Sequence, residues 1–108
     1  MEINIAAATE AIAAAHPDRD ALVSASGVRS WQEVSERTRR LAAVLGAAGL
    51  GLHAVVGPSA SVSPHDHVAL YLHNGPEYLE GMLGAWKARA ASFNVNYRYV
   101  AAELRYLL

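Results

Sequence analysis

Five histidines, His16, His53, His65, His67 and His73, are the side chains of this sequence with the widest chemical reach. His65 and His67 flank Asp66, so on a strand both rings would share one face. His53 and His73 could approach them, and such a group could hold a divalent metal. The spacing fixes no third ligand, and the helical histidine pair of zinc hydrolases is absent. Surface or strand-end histidines are therefore expected, and no metal ligand is assigned. Glu77 and Glu80 lie three apart and could work as an acid–base pair. Acids also favour the first turn of a helix, where they meet the positive end of its dipole, and this structural role is expected. Gly57-Pro58-Ser59-Ala60-Ser61 lacks the second glycine and the Lys-Ser/Thr of a phosphate-cradling loop. Gly49-Leu50-Gly51 lacks the third glycine of a dinucleotide fingerprint, and no Gly-x-Ser-x-Gly elbow exists for a serine hydrolase. Arg37, Arg39 and Arg40 alternate with glutamates and read as a solvated face. Tyr97-Arg98-Tyr99 could stack a base, but it has no basic surround. No catalytic or cofactor-binding residue emerges.

The elements that would position such groups centre on Asp66 to Tyr99. A short apolar run, His67 to His73, meets an Asn74-Gly75-Pro76 break. A helical period follows from Glu77 to Ala88, then a second short run from Ser92 to Asn96. This is the pattern of a βαβ unit with a right-handed crossover and two parallel strands. Parallel sheets need helices on both faces, so the unit predicts an α/β protein whose sheet is incomplete. In the crossover helix Tyr78, Leu79, Met82, Leu83 and Trp86 form a broad apolar face. Gly81, Gly84, Ala85 and Ala88 form a small-residue face. Glycine inside a helix costs up to ~1 kcal/mol against alanine, and close packing against a neighbour would offset that.

Upstream, Ile3 to Ala15 reads as a helix capped by Asn4, with Ile5, Ala8, Ile12 and Ala15 on one stripe and His16-Pro17-Asp18 as its stop. Ala21 to Ala25 reads as a strand, Ser26-Gly27 as a turn, and Val28-Arg29 as a returning strand. Ser30 and Glu33 match a capping box. The helix they open carries Trp31, Val34, Thr38, Leu41, Leu45 and Ala48 on one face. Glu33 with Arg37, and Glu36 with Arg40, are expected as ion pairs four apart. Gly49 or Gly51 ends it. Residues 52–64 read as a loop insertion, with a small apolar patch at Ala54-Val55-Val56. A last helix begins near Val100, with Leu104, Leu107 and Leu108 on one face, and the sequence reads as cut inside it.

Composition bounds the rest. The 108 residues allow one domain, residues 1–108. Apolar residues make up 53% and charged residues 18%, a globular balance. Nine Lys+Arg against ten Asp+Glu leave a net charge of −1, so nothing draws the chain to nucleic acid or an anionic membrane. There is no cysteine, hence no disulfide and no thiol nucleophile. Neither a signal peptide nor a transmembrane segment is expected from the sequence, and a cytoplasmic location is expected.

Pro17-Asp18-Arg19-Asp20-Ala21-Leu22-Val23 resembles the opening of adenylate-forming (AMP-dependent synthetase/ligase) enzymes. Ser30-Trp31-Gln32-Glu33-Val34, with Arg37 and Arg40-Leu41-Ala42, resembles their first amphipathic helix. Asp66 to Glu80 is similar to the acyl-CoA synthetase version of the next strand and helix. Lys87-Ala88-Arg89-Ala90, Asn94 to Val100 and Glu103 to Leu108 resemble the fatty-acyl-CoA synthetase branch. The resemblance implies an incomplete N-terminal subdomain of that α/β fold. It also implies a two-step ligase chemistry with ATP, Mg2+ and coenzyme A: acyl-adenylate first, then acyl-CoA. Two departures from the family pattern stand out, the long 52–64 segment and Ala91-Ser92 in place of Val-Pro. The phosphate loop, the nucleotide-binding stretches and the C-terminal lysine of the family match no position here. No cofactor is expected to be bound by this fragment, and it should be inactive alone. The alternative is a non-catalytic interaction module that self-associates or pairs with a full-length synthetase.

Overall fold

The computed structural model describes residues 4–53 and 63–108. The helix start at Ile3, the patch at 54–56 and the glycine stretch at 57–61 lie outside them. The described elements run α1 (Ile5–Ala15), β1 (Asp20–Ser24), β2 (Gly27–Ser30), α2 (Trp31–Ala47), β3 (His67–Leu70), α3 (Pro76–Lys87), β4 (Ala91–Asn94) and α4 (Ala101–Leu107).

The expected βαβ unit forms. β3 and β4 pair in parallel, with His67 beside Ala91 and Leu70 beside Asn94. α3 returns over one face of this two-stranded sheet, and β1 and β2 form a separate antiparallel hairpin. β3 is shorter than the apolar run: pairing stops where Val95 N donates to Leu70 O, at 3.0 Å.

α2 is the best-tied helix. Its capping box forms as expected, with Glu33 N donating to Ser30 Oγ at 3.2 Å and Ser30 N to Glu33 Oε1 at 3.3 Å. Two more N–H groups that the first turn leaves free find partners outside the helix. Trp31 N donates to Arg19 O at 2.9 Å, and Gln32 N to Pro17 O at 3.0 Å. The stop at Pro17 thus also serves as an acceptor for the next helix. At the other end Leu50 N reaches Leu45 O and Gly49 N reaches Gly46 O, each at 3.0 Å, with Gly49 at φ +84°. This is a Schellman ending, so Gly49 rather than Gly51 closes α2.

α3 ends the same way, with Ala90 N on Ala85 O and Arg89 N on Trp86 O. Here the left-handed position belongs to Arg89, at φ 62°. A side chain with a Cβ is strained there by about 1 kcal/mol. Arg89→Gly is therefore expected to raise the unfolding midpoint, by about 0.5–1 kcal/mol. Urea titration checks it, and an unchanged or lower midpoint would refute the strain argument.

Two sequence expectations fail. The stripe Ile5, Ala8, Ile12 and Ala15 is not the buried face of α1, because Ile5 and Ile12 are 57% and 41% exposed while Ala6 and Ala13 are buried. Small alanines let α1 lie close to α2 and α3, and this places Glu10 between them. The pair Glu33–Arg37 does not form either, since Arg37 turns to Glu80 of α3. Glu36–Arg40 does form, at 3.8 Å.

In α3 the small-residue face is the one that packs. Glu80, Gly81, Gly84 and Ala85 are buried. The apolar face, with Leu79, Met82, Leu83 and Trp86, only lines a partly open cavity of about 190 Å³ with Leu22, Trp31 and Val34. α4 packs on no other helix or strand among the described residues, and Tyr106 on it is 94% exposed. Its approach is held by Tyr71 Oη, which donates to Tyr99 O. The ring of His73 lies 4.4 Å from that of Tyr97.

Candidate functional site

Among the described residues three clusters of polar side chains stand at joints between elements. The first joins three helices around Glu10. Ser35 Oγ donates to its two carboxylate oxygens at 2.9 and 3.1 Å, and Arg39 Nε donates to Oε2 at 2.8 Å. Lys87, the only lysine of the chain, donates to Oε1 of Glu10 and, at 2.6 Å, to Thr38 Oγ1. Thr38 is fully buried, and the Lys87 side chain is 10% exposed. Burial alone would raise the pKa of Glu10. The donors Lys87, Arg39 and Ser35 outweigh it and hold the carboxyl at about 2. Lys87 thus ties α3 to α1 through Glu10 and to α2 through Thr38.

The second joint is Glu80, whose side chain is 7% exposed. It accepts from Arg29 of the hairpin and, at 2.5 Å, from Arg37 Nε of α2. The Glu80 carboxylate raises the pKa of the Arg37 guanidinium. Glu77 stands 3.6 Å from Arg29. The two carboxylates thus share Arg29. The arginine cluster likewise splits between the two joints, and only Arg40 retains the partner that its helix offers.

The third joint closes the ends of the 52–64 excursion. Leu52 and His65 form an isolated antiparallel bridge, and Asp66 N donates to Gly51 O at 2.9 Å. Asp66 Oδ2 accepts from Gly51 N at 2.9 Å and pairs with His53 Nε2 at 2.5 Å. The Gly51 N–H, then His53, lowers the pKa of Asp66. His65 Nδ1 sits 2.6 Å from Arg89 O, and His67 packs edge-on to Phe93. The histidines are thereby dispersed. Among the described residues no three His, Asp or Glu side chains converge on one point.

These networks were hard to find in the sequence, because Glu10 meets Lys87 across 77 positions and Glu80 meets Arg29 across 51. The available signals were a lone lysine and an acid set in an alanine-rich helix. A groove of about 440 Å³ runs between α2, β3 and α3 over Leu41, Leu45, Val68, Leu70 and Leu72. It is apolar, with Arg37, Arg40 and Glu77 at its rim, and it brings together no nucleophile and base. No described helix is long and apolar enough to cross a membrane.

Comparison with known proteins locates the chain. A family model for AMP-binding enzymes matches residues 9–108. The medium-chain acyl-CoA ligase Mig of Mycobacterium avium is 44% identical over 108 residues, which span 96% of this chain and 19% of that protein. The 3-oxocholest-4-en-26-oate–CoA ligase of Rhodococcus rhodochrous is 36% identical, over 99% of this chain and 17% of that protein. The chain thus spans about a fifth of these relatives' length. Among solved structures, the inhibitor-bound N-terminal domain of FACL13 from Mycobacterium tuberculosis superposes with a TM-score of 0.79 at 25% identity. That match covers 98% of this chain and 24% of that domain. A fatty acyl-CoA synthetase from the same organism gives 0.77 at 25% identity, over 96% and 19%. Family match, relatives and fold agree: the chain belongs to the AMP-binding enzyme family, and it corresponds to part of an acyl-CoA synthetase N-terminal domain.

Proposed function

We propose that the chain is the N-terminal part of an ATP-dependent fatty-acyl-CoA synthetase. Such an enzyme joins a carboxylate to AMP with release of pyrophosphate and then passes the acyl group to coenzyme A. The observation that carries the reading is the 44% identity to a medium-chain acyl-CoA ligase over 96% of the chain. In this reading residues 1–108 form one partial domain with 52–64 as an insertion, and they supply scaffold. They hold no catalytic, cofactor or metal residue, so ATP, Mg2+ and coenzyme A would bind elsewhere in the synthetase. The three joints support this, since each charged group in them is satisfied by another structural group.

The purified 108-residue chain is therefore expected to show no ATP–pyrophosphate exchange with octanoate or any longer fatty acid. Exchange above a heat-treated control would overturn the scaffold assignment. A second reading, a non-catalytic module that associates with itself, is favoured by the unpacked α4 and its exposed Tyr106, Leu107 and Leu108. Sedimentation as a monomer at micromolar concentration would remove it.

A further inference from the structure

α1 is joined to its neighbours by small side chains and one carboxylate. Of its 11 residues only Ala6 and Ala13 are buried, Thr9 and Glu10 are half-buried, and the rest are exposed. An alanine methyl removes far less apolar surface from water than a large aliphatic side chain does, so the apolar part of this joint is small. Among the described residues every side-chain hydrogen bond between α1 and another element ends on Glu10, with Ser35, Arg39 and Lys87 as donors. The exit from α1 is pinned at once. His16 leaves the helical conformation, at φ −135° and ψ 57°. Directly after it Pro17 O and Arg19 O accept from Gln32 N and Trp31 N of α2. A swing about His16 thus leaves the chain from Pro17 onward in place. The seam between α2 and α3 is held without α1, by Leu41 against Gly84 and by Arg37 on Glu80.

We propose that α1 is a hinged strap that shields Lys87: clipped shut by Glu10, it opens about His16 as a unit while α2, α3 and both strand pairs stay folded, and only the open state exposes the lysine to amine-directed chemistry. In the closed state Lys87 Nζ lies between Glu10 and the buried Thr38 hydroxyl, and its side chain is 10% exposed. Opening strands no charge, because Glu10 and Lys87 both regain water. Segments with little buried apolar surface open at a lower free energy than the core does. A helix of 11 residues is marginal in water by itself, so the released strap unwinds and its amides exchange with solvent.

Acetylation of the 108-residue chain by sulfo-N-hydroxysuccinimide acetate, run beside hydrogen exchange, tests the strap. The reagent passes its acetyl group to Nζ, with loss of N-hydroxysulfosuccinimide and a proton. Lys87 is the only lysine, so digestion and mass spectrometry separate its label from that of the α-amino group. Protection is the rate in concentrated urea divided by the rate in buffer. Lys87 and the central amides of α1 are expected to share one protection factor, about tenfold or more below that of the β3–β4 amides. Gly46→Ala, which strengthens α2 in the closed and open states alike, is expected to raise β3–β4 protection by up to about fivefold and to leave Lys87 and α1 unchanged. Glu10→Gln is expected to speed Lys87 acetylation by about tenfold or more. Lys87 labelling in buffer as fast as in urea would overturn the proposal, because nothing then shields the amine. So would a Lys87 protection that equals that of β3–β4 and rises with it in Gly46→Ala, because the lysine is then reached only by global unfolding. An unchanged Lys87 rate in folded Glu10→Gln would remove Glu10 as the clip and overturn it as well. Should Glu10→Gln fail to fold, the wild-type and Gly46→Ala measurements decide by themselves.

Discussion

Replacing Gly84 with valine is expected to destabilise the 108-residue chain by about 3 kcal/mol, enough to unfold much of a marginal domain. A Cβ at Gly84 would stand 2.5 Å from Leu41 Cδ2, 2.8 Å from Cγ and 3.0 Å from Cβ. The contact reaches the stem of Leu41 and not only its tip, so no rotamer change clears it. α2 and α3 would have to move apart. Their seam holds Thr38, Glu80 and Ala85, all buried, so separation would also open the Lys87–Thr38 and Arg37–Glu80 ties. Gly84→Ala should cost less, about 1–2 kcal/mol, because better helix propensity returns up to ~1 kcal/mol of the steric loss. Leu41→Ala should recover part of that cost in the double variant, which would locate the effect at this contact. Gly46 in α2 provides the opposite case. A Cβ there meets nothing within 4 Å, and Gly46→Ala is expected to stabilise by up to ~1 kcal/mol. Urea titrations of the four variants decide the matter. Equal effects of Gly84→Ala and Gly46→Ala would show that propensity and not packing governs Gly84.

The second large effect is expected at Glu10, and it depends on pH. The folded chain holds this carboxyl at about 2, below its ordinary value. Between the two values the unfolded state binds the proton more readily. The stabilisation is therefore complete above the ordinary carboxylate range and is lost as pH falls towards 2. Glu10→Gln removes it and also leaves the nearly buried Lys87 without its counter-ion. The expected loss at pH 7 is about 1–3 kcal/mol. The stability difference between wild type and variant should shrink steadily from about pH 4.5 to about pH 2. Asp66 adds an acid limb of its own, in the same direction, so the difference between the two proteins is the quantity to follow. A difference that stays constant across this window would mean that the Glu10–Lys87–Arg39 cluster is not formed in solution.

The sequence by itself determined the local structure. Ser30 with Glu33, Asn4 and Gly75 bound helices through hydrogen bonds that close within a few residues, Pro17 follows the end of α1 as its expected stop, and α2 ends at one of the two glycines the sequence offered. The strand–helix–strand period of Asp66 to Tyr99 gave the parallel pair, and the small face of α3 announced a close approach. The resemblance of nearly every segment to acyl-CoA synthetases placed the family, which no arrangement of side chains in this chain would have revealed.

Only the tertiary structure decided which face each helix buries and which charges meet. Periodicity marks an apolar stripe but not its partner. In α1 the isoleucines lost to alanine because Glu10 had to reach Ser35, Arg39 and Lys87. In α2 a local pair between Glu33 and Arg37 lost to Glu80. An exposed pair four apart is worth a few tenths of a kcal/mol, whereas a buried carboxylate left without its arginines costs several times more. Such choices depend on side chains dozens of positions apart, and their distance in the chain carries no trace of the contact.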